Sequence, residues 1–513
     1  MKPVKSLYKN CSAPLIFFDL QKSFYSVRSP KKSFQTKLFI NGKFVDSISG
    51  KTFETTNPAN GELLAKVSEA DKKDVDVAVK SARKAFQSWR HSSPTERRTI
   101  LNKLADLIDK NADELALLDS LDNGKSFNIA KGVDVSLTSQ CFRYYAGWAD
   151  KIEGSTIPVD GDYFVYTRRE PLGVCGQIIP WNFPLLMAAW KLAPALATGN
   201  TIVMKTAEQT PLSALKLAEL MVEAGIPSGV VNILSGFGET AGKAIALHPD
   251  VDKVAFTGST EVGKLIQQYS GQSNLKRVTL ELGGKSPLIV LKDSNLDFAV
   301  ETANFGLFFN QGEVCTASSR IFVQDSVYDE FVEKAVKRAK EIKVGPGTEE
   351  DTFLGPVVSS EQYERVMKYI ECGKSDNAKL AVGGKRIGNK GYFIEPTIFT
   401  DVKDDMKIAK EEIFGPVMGI LKFNSVDEAI KRANTTTYGL AASVVTNDLN
   451  KALSIANNLR AGTIWVNCHN VFSSYVPFGG YKQSGFGREL GKQCINNYTE
   501  TKAVVIKSEP YNG

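Results

Sequence analysis

The chain has 513 residues, of which 42% are hydrophobic, a length and composition typical of two or three globular domains. Its net charge is only +6, from 63 basic and 57 acidic residues, and it contains no basic block of the kind that binds nucleic acid. Polar residues and prolines interrupt the most apolar segment well before the ~20 residues that a membrane-spanning helix requires. Neither nucleic acid nor a membrane is therefore an expected partner.

Cysteine and histidine usage argues against a metal centre and against secretion. The seven cysteines are widely spaced and include no CxxC pair, which fits neither a zinc ribbon nor a disulfide framework. The three histidines are distant from one another and form no HExxH motif. We expect a reducing compartment and no bound metal.

The N-terminal segment, residues 1–35, is basic and rich in serine. Asp19 is its only acidic residue, which is typical of a mitochondrial transit peptide. Such peptides favour arginine, however, and this segment contains only Arg28, so a disordered extension is the alternative interpretation. The mitochondrial matrix is the expected location, and the cytoplasm is the alternative.

Two amphipathic helices are predicted next. Apolar residues recur at helical spacing between positions 75 and 89, which predicts the first. Ser93, followed by Pro94 and by Glu96, is a typical start for the second, whose apolar face includes residues 100–108. The Asn123-Gly124 pair is the predicted end of this second helix.

Short apolar segments alternate with helical ones from about residue 172 onward, which predicts a parallel sheet with right-handed crossovers. Residues 288–345 repeat the pattern, so a second α/β domain is expected. Ligands of such sheets bind at the carboxyl ends of the strands. Four polar residues of the first sheet follow or end predicted strands: Lys205, Glu208, Ser259 and Glu281.

Two glycine-containing turns between a strand and a helix are candidates for phosphate binding. They are "GFGETAG", residues 236–242, and "TGSTEVG", residues 257–263. The backbone around Gly238, Gly258 and Ser259 would meet a pyrophosphate there. Glycines in such turns are also common for steric reasons, which is the alternative. "GGKS" at 283–286 is not a P-loop, because Thr279 occupies the position that must be glycine.

Lys205 and Glu208 form a charged pair just after a predicted strand. A carboxylate that accepts hydrogen bonds from both hydroxyls of an adenine ribose would repel a 2′-phosphate, so Glu208 favours NAD over NADP. A solvated pair in a loop is the alternative.

Three residues carry candidate chemistry, each with an ordinary structural alternative. Glu281 lies within the apolar segment "VTLEL", where a desolvated carboxyl would suit a general base, unless an edge strand leaves it solvated. Asn182 in "PWNFP" is either an oxyanion donor or a turn residue that bonds its own backbone. Cys315 in "FNQGEVCTASSR" is either a thiolate nucleophile or an inert buried cysteine.

Taken together, these segments resemble the NAD(P)-dependent aldehyde dehydrogenase superfamily over about residues 38–510, within the class of the mitochondrial acetaldehyde and cytosolic retinal enzymes. "VTLELGGKSP" matches the glutamate signature of that superfamily, and "FNQGEVCTASSR" matches its cysteine signature. The other motifs occur in family order: "PWNFP", "KTAEQTP", "FTGSTEVG", "EEIFGPV" and "PFGGYKQSGFGREL".

The resemblance implies a role for each matching residue. Cys315 is the implied nucleophile, the Asn182 side chain and the Cys315 backbone N–H form the oxyanion hole, and Glu281 is the general base. In the cofactor site, Lys205 and Glu208 would bind the adenine ribose, Ser259 the pyrophosphate, and Glu412 with Phe414 the nicotinamide riboside. The implied substrate tunnel is aromatic and narrow and suits short aliphatic aldehydes; its wall consists of Phe183, Met187, Trp190, Phe309, Phe472 and Phe478.

The fold class implied is α/β, with a Rossmann-type NAD-binding domain, an α/β catalytic domain and a small β oligomerisation arm that makes a homotetramer, a dimer of dimers. An ionic cluster of Arg277, Arg488 and Glu500 is implied at the dimer interface. The expected divisions are a leader at 1–35, the NAD-binding domain at 36–148 and 172–283, the catalytic domain at 284–483, and the arm at 149–171 and 484–513.

Other functions remain open alternatives. A retinal or betaine aldehyde dehydrogenase would use the same mechanism, and the neighbours of Cys315, Val314 and Thr316, differ from the paired cysteines of the acetaldehyde enzyme. An acylating relative that transfers the acyl group to coenzyme A is disfavoured by the presence of Glu281. A crystallin-like or ligand-binding descendant without activity would have lost Cys315, Asn182 or Glu281, and all three are present.

Overall fold

The computed structural model describes residues 34–508, so all but the last two residues of the predicted leader lie outside the described part of the chain. No helix within residues 34–508 is long and apolar enough to cross a membrane.

The α-helices of the described residues are, in chain order, α1 (Lys72–Trp89), α2 (Pro94–Lys110), α3 (Ala112–Asp122), α4 (Phe127–Ile129), α5 (Ser136–Ala146), α6 (Pro184–Ala197), α7 (Leu212–Ala224), α8 (Lys243–Leu247), α9 (Thr260–Gln272), α10 (Leu296–Phe308), α11 (Tyr328–Lys340), α12 (Ser360–Ser375), α13 (Lys407–Lys410), α14 (Val426–Asn434) and α15 (Leu449–Asn458).

The strands are β1 (Leu38–Ile40), β2 (Lys43–Val45), β3 (Thr52–Thr56), β4 (Leu63–Ser68), β5 (Thr156–Ile157), β6 (Tyr163–Pro171), β7 (Val174–Ile178), β8 (Thr201–Thr206), β9 (Val231–Ser235), β10 (Lys253–Thr257), β11 (Arg277–Glu281), β12 (Pro287–Val290), β13 (Arg320–Gln324), β14 (Lys379–Val382), β15 (Thr397–Thr400), β16 (Val417–Phe423), β17 (Ala441–Val445), β18 (Thr463–Val466), β19 (Gly485–Phe486) and β20 (Thr499–Lys507).

The two predicted N-terminal helices form, but the second is shorter than predicted. Helix α2 begins at Pro94, with the side chain of Ser93 accepting a hydrogen bond from the backbone N–H of Glu96. It ends at Lys110, because the side-chain amide of Asn111 bonds the carbonyl of Leu107 and the chain restarts as α3. Asn-Gly at 123–124 therefore follows a third helix rather than the second.

The first large sheet has the strand order β19-β11-β10-β7-β8-β9-β1-β2. Its five central strands are parallel. The chain winds outward in one direction through β8 and β9 and in the other through β10 and β11, so the order reverses beside β7. In a sheet of this kind, ligands bind outside the carboxyl ends of the strands at such a reversal.

The second large sheet has the order β14-β15-β16-β13-β12-β17-β18, and only its edge strand β14 is antiparallel. A third, antiparallel sheet consists of β20, β6 and β5, and its strands Thr499–Lys507 and Tyr163–Pro171 pair along their whole length. The second part of the predicted arm begins at residue 484, but β19 belongs to the first sheet, because Glu281 and Gly485 are register partners. Of the residues predicted for the C-terminal part of the arm, β20 is the strand that pairs with β6.

Helix α6 explains the most apolar segment of the sequence. All fourteen of its residues are buried, and it packs against α5, α7 and β8 inside the main hydrophobic core. A helix that is covered on every side needs no polar face, so its sequence resembles a membrane span although it is only fourteen residues long.

Candidate active site

Cys315 lies in a tight turn that follows a strained piece of backbone. Helix α10 ends at Phe308, and the next turn contains Asn310 and Gln311 in the left-handed region, with φ of 49° and 59°. The turn of interest is closed by a hydrogen bond from the Ala317 N–H to the Val314 carbonyl, 2.9 Å, which places Cys315 at its second position. Cys315 therefore lies in an irregular segment between α10 and β13, next to strained backbone.

The thiol of Cys315 is half-buried, and all six cysteines within residues 34–508 are free. Its pKa is raised well above the usual value, first by burial and then by the nearby carboxyls of Glu281 and Glu412. The backbone N–H groups of Cys315 and Thr316 oppose this effect by stabilising the thiolate. Cys315 is therefore a thiol at rest, next to carboxyls that oppose its ionisation and backbone N–H groups that favour it.

Asn182 follows β7 and is 5% exposed. Its side-chain amide donates to the backbone carbonyl of Glu313 at 2.9 Å, two residues before Cys315. Its own backbone carbonyl accepts from Lys125 Nζ at 2.7 Å. An asparagine amide has two hydrogens, so one bond fixes the orientation of the group and leaves the second hydrogen for a ligand.

Glu281 is the last residue of β11 and is 5% exposed. Its Oε1 has no hydrogen-bond partner among the described residues. Burial, and then the charge of Glu489, raise the pKa of Glu281 well above the usual value, and Lys191 and Arg488 partly lower it. A desolvated carboxyl with a raised pKa suits a general base.

The candidate ribose residues lie at the end of β8. Lys205 Nζ and Glu208 Oε2 are 3.1 Å apart, and the Glu208 side chain is more exposed than that of Lys205. Ser259 precedes α9 and caps it, because its hydroxyl accepts from the Val262 N–H at 3.2 Å. This capping bond is a structural role for Ser259. The backbone N–H groups of the first turn of α9 lie next to it and can bind an anion.

The two predicted phosphate-turn glycines differ in their surroundings. A Cβ added at Gly238 would meet nothing within 4 Å, whereas one added at Gly258 would lie 2.5 Å from the Phe256 ring. Close packing of that ring thus accounts for the glycine at 258 without any ligand.

Glu412 and Phe414 contact residues that follow strands of the first sheet. Glu412 Oε1 accepts from the Gly284 N–H at 2.9 Å, and a Cβ at Gly283 would lie only 2.1 Å from Oε2. Burial raises the pKa of Glu412 to about 7. Phe414 has a φ of 61°, and its ring packs edge-on against Trp181 at 5.2 Å.

The candidate tunnel residues form two aromatic groups. Trp190, Phe472 and Phe478 are mutual neighbours with centroid distances of 5.3 to 6.0 Å. Phe183 and Phe309 stack at 6.1 Å. Met187 lies one turn after Phe183 and one turn before Trp190 on this part of the chain, and it is buried.

Comparison with known proteins identifies the family of the chain. Residues 44–504 match the model described as "Aldehyde dehydrogenase family". Human mitochondrial aldehyde dehydrogenase is 59% identical over 477 residues, 92% of each chain. The chain belongs to the aldehyde dehydrogenase family.

Further relatives agree with this assignment. Human retinal dehydrogenase 2 is 56% identical over 494 residues, 95% of each chain. A Bacillus cereus aldehyde dehydrogenase, solved as an NAD+ complex, has a TM-score of 0.91 at 54% identity, over 92% of this chain and 97% of that one. The aldehyde dehydrogenase family, the α/β fold class and the dehydrogenase activity predicted from the motifs are thereby confirmed.

Two residues beside the candidate base Glu281 escaped the sequence analysis. Lys191 is fully buried in α6, and its Nζ donates to Thr257 Oγ1 at 2.6 Å and to Glu489 Oε1 at 2.7 Å. The available signal was a lysine inside an otherwise apolar helix, since a charge there requires a partner. Its partner Glu489 is 298 positions away and no local pattern reveals it.

A second buried pair lies behind Asn182. Lys125 and Asp134 are both fully buried, with Nζ and Oδ2 2.5 Å apart, and the Lys125 amino group also lies 4.1 Å from the centre of the Phe183 ring. Lys125 thus contacts the backbone of Asn182 and the ring of the next residue.

The predicted ionic cluster forms only in part within this chain. Arg277 Nη2 lies 3.3 Å from Glu500 Oε2, and both side chains are about half exposed. Arg488 instead donates to the carbonyls of Gly480 and Gly487. Within residues 34–508, no group of three or more His, Cys, Asp or Glu side chains is arranged to hold a metal ion.

Proposed function

We propose that the protein oxidises an aldehyde, in the first instance a short aliphatic aldehyde such as acetaldehyde, to the carboxylic acid with NAD+. The observation that supports this most directly is that the carboxyls of Glu281 and Glu412 are both close enough to the Cys315 thiol to raise its pKa. Asn182 is tied to the same segment through the Glu313 carbonyl. A nucleophile, a base and an amide donor thus converge on one site.

The residues at the carboxyl edge of the first sheet fit a dinucleotide. Lys205 orients the Glu208 carboxylate, which can accept bonds from both hydroxyls of an adenine ribose and disfavours a 2′-phosphate. Gly258 and Ser259 lead into the N-terminus of α9, which suits a pyrophosphate. Glu412 is a second carboxylate acceptor, held beside Gly284 for the other ribose.

Cys315 starts the reaction. Its thiol releases its proton to solvent, the sulfur adds to the aldehyde carbon, and the oxygen of the resulting thiohemiacetal becomes negative. The free hydrogen of the Asn182 amide and the Cys315 N–H are the proposed donors to that oxygen. NAD+, when bound, supplies the acceptor for the hydride that leaves this carbon. A thioester then remains on Cys315.

Glu281 completes the reaction by accepting a proton from a water molecule whose oxygen attacks the thioester carbon. The carbon–sulfur bond breaks, the acid leaves, and the Cys315 sulfur takes up a proton from Glu281, which regenerates the thiol and the carboxylate. A raised pKa makes the Glu281 carboxylate a stronger base, which is what proton removal from water requires. Glu489 and Lys191 border Glu281 and set its charge environment.

The first experiment measures reduced nicotinamide formed by the purified protein with NAD+ and acetaldehyde, then betaine aldehyde, then retinal. Turnover that disappears in Cys315→Ala supports the mechanism, and the order of kcat/KM values assigns the substrate. A preference for retinal would favour the activity named in its relative retinal dehydrogenase 2. Absence of turnover in protein that binds NAD+ would overturn the proposal and favour a binding protein.

The remaining proposals concern assembly and location. The sheet of β20, β6 and β5 has Ile157, Phe164 and Val505 as exposed apolar side chains, which supports an oligomerisation arm and a homotetramer.

The two large sheets support a division into NAD-binding and catalytic domains near residue 284. Residues 1–35, together with the relative named mitochondrial aldehyde dehydrogenase, support the mitochondrial matrix.

A further inference from the structure

A buried histidine lies behind the turn of Cys315 and has no part in the chemistry described above. His469, in the loop after β18, is 4% exposed. Its Nε2 lies 2.9 Å from the backbone carbonyl oxygen of Thr316, the residue after Cys315. Its Nδ1 lies 2.6 Å from Ser443 Oγ in β17. Both ring nitrogens are therefore satisfied, and the ring is fixed.

The two partners determine the tautomer of His469. A carbonyl oxygen only accepts, so Nε2 carries the hydrogen and donates to Thr316. Burial lowers the pKa of His469 to about 4, so the ring is neutral near pH 7 and Nδ1 accepts from the Ser443 hydroxyl. The two hydrogen bonds thus point the same way: Ser443 in β17 donates to the His469 ring, and the ring donates to Thr316 in the turn.

We propose that His469, oriented by Ser443, is a positioning residue that holds the turn of Cys315 in its reactive geometry. The inference rests on the proposed role of Cys315 as nucleophile. It adds a residue that touches neither substrate nor cofactor and acts through the backbone of Thr316.

The surroundings of the turn support this role. On one side the Cys315 carbonyl packs against Gly284, where an added Cβ would lie 2.4 Å from the oxygen. On the other side Thr316 is held twice, by His469 through its carbonyl and by Asn470 Oδ1 through its hydroxyl at 2.7 Å. The loop after β18 thus supplies both hydrogen bonds to the residue that follows the nucleophile.

That loop is itself held by local hydrogen bonds. Asn467 and Asn470 adopt left-handed backbone conformations, with φ of 52° and 56°. The Asn467 side chain exchanges two 3.0 Å hydrogen bonds with the backbone of Thr446. The Trp465 indole N–H donates to the Val471 carbonyl at 3.1 Å. The backbone on both sides of His469 is therefore held by hydrogen bonds.

The expected effect on the thiol follows from the backbone donors around it. The N–H groups of Cys315 and Thr316 lower the pKa of the thiol, against burial and the facing carboxyls of Glu281 and Glu412. If the bond from His469 is lost, Thr316 can move and the thiolate loses part of this stabilisation, while both carboxyls remain. Thiolate formation should then require a higher pH.

The experiment compares His469→Phe, which removes both bonds, with His469→Gln, which restores a donor toward Thr316, and with Ser443→Ala. Asn467→Gly is the matched control, because it removes the bonds to Thr446 and keeps the left-handed backbone without touching Thr316. The measurements are the melting temperature, kcat and KM with acetaldehyde and NAD+, and the pH dependence of Cys315 alkylation by iodoacetamide.

We expect His469→Phe to lower kcat by about tenfold or more, with KM for NAD+ changed less than about twofold, and to move the alkylation midpoint to higher pH. His469→Gln should recover most of the loss, and Ser443→Ala should show a smaller loss of the same kind. Asn467→Gly should lower the melting temperature and leave both the alkylation profile and kcat within about twofold.

An unchanged alkylation profile in His469→Phe, or losses no greater than those of Asn467→Gly, would show that the role is only structural and overturn the inference. If His469→Phe does not fold, Ser443→Ala decides, and a wild-type alkylation profile there would count against it. Alkylation requires no turnover, so this result stands apart from any failure of the wild-type protein to oxidise aldehydes.

Discussion

The amino group of Lys191 lies 2.7 Å from a carboxylate oxygen of Glu489, in a pair that is almost completely buried beside Glu281. The two charges act on the Glu281 carboxyl in opposite directions, since Glu489 raises its pKa and Lys191 lowers it. The proposed general base is thus adjusted by an ion pair on other elements of the fold.

Glu489→Gln and Lys191→Met should move the pH profile in opposite directions. Glu281 acts in its deprotonated form, so activity is lost as the pH falls through its pKa. Glu489→Gln removes a charge that raises this pKa, so the acid limb of kcat should move to lower pH. Lys191→Met removes a charge that lowers it and should move the limb to higher pH. Shifts in the same direction would contradict this account of the pair.

Glu281→Gln should separate the two halves of the reaction. The thioester forms without the base but is not hydrolysed, so a rapid burst of about one reduced nicotinamide per active site should precede turnover slowed by about 10² to 10⁴. Stopped-flow absorbance at 340 nm measures both phases. The same variant should move Cys315 alkylation to lower pH, because Glu281 raises the pKa of that thiol. Full steady-state turnover would exclude Glu281 as the base.

Lys125→Met should destabilise the protein by about 3 to 5 kcal/mol, since it leaves Asp134 buried without its cation. Lys125 also lowers the pKa of Asp119, which burial raises to about 7. Carboxyls with raised pKa weaken the fold as they lose their protons, so the loss should be larger at pH 8 than at pH 6. Urea unfolding midpoints at both pH values test this. The double variant Lys125→Met/Asp134→Leu should be more stable than the single one.

Glu208→Gln should relax the choice of cofactor. The Glu208 carboxylate is held by Lys205 and would repel a 2′-phosphate, so its neutral isostere should lower KM for NADP+ by about tenfold while KM for acetaldehyde stays unchanged. Steady-state kinetics with both cofactors provide the measurement. An unchanged ratio of NAD+ to NADP+ activity would remove Glu208 from the ribose site.

The parts of this protein that sequence could predict are local or carried by motifs. The apolar spacing of residues 75–89 predicts α1 because a helix repeats its buried face within four residues. The alternation after residue 172 predicts the parallel strands, whose carboxyl ends bring Asn182, Lys205, Ser259 and Glu281 to one edge.

What sequence could not predict depends on distant partners or on competing local bonds. The break at Asn111 arises because one side-chain amide competes for a helix carbonyl, in a segment whose apolar spacing continues unchanged. The pairs Lys191–Glu489 and Ser443–His469 join separate elements, and each partner alone looks like an isolated polar residue. The place of β19 follows from a two-residue pairing that carries no pattern.

The pairing of Gly485 with Glu281 also bears on when the enzyme becomes competent during synthesis. Strand β11 remains an open edge until β19 docks, and the Leu282 N–H finds its acceptor, the Ser484 carbonyl, only then. Strand β11, which carries the proposed base Glu281, is translated about two hundred residues before Ser484 and β19, which complete its hydrogen bonds. A nascent chain that already contains Cys315, Asn182 and Glu281 therefore lacks one neighbour of the strand that carries Glu281, and the proposed active site is completed only in the last part of translation.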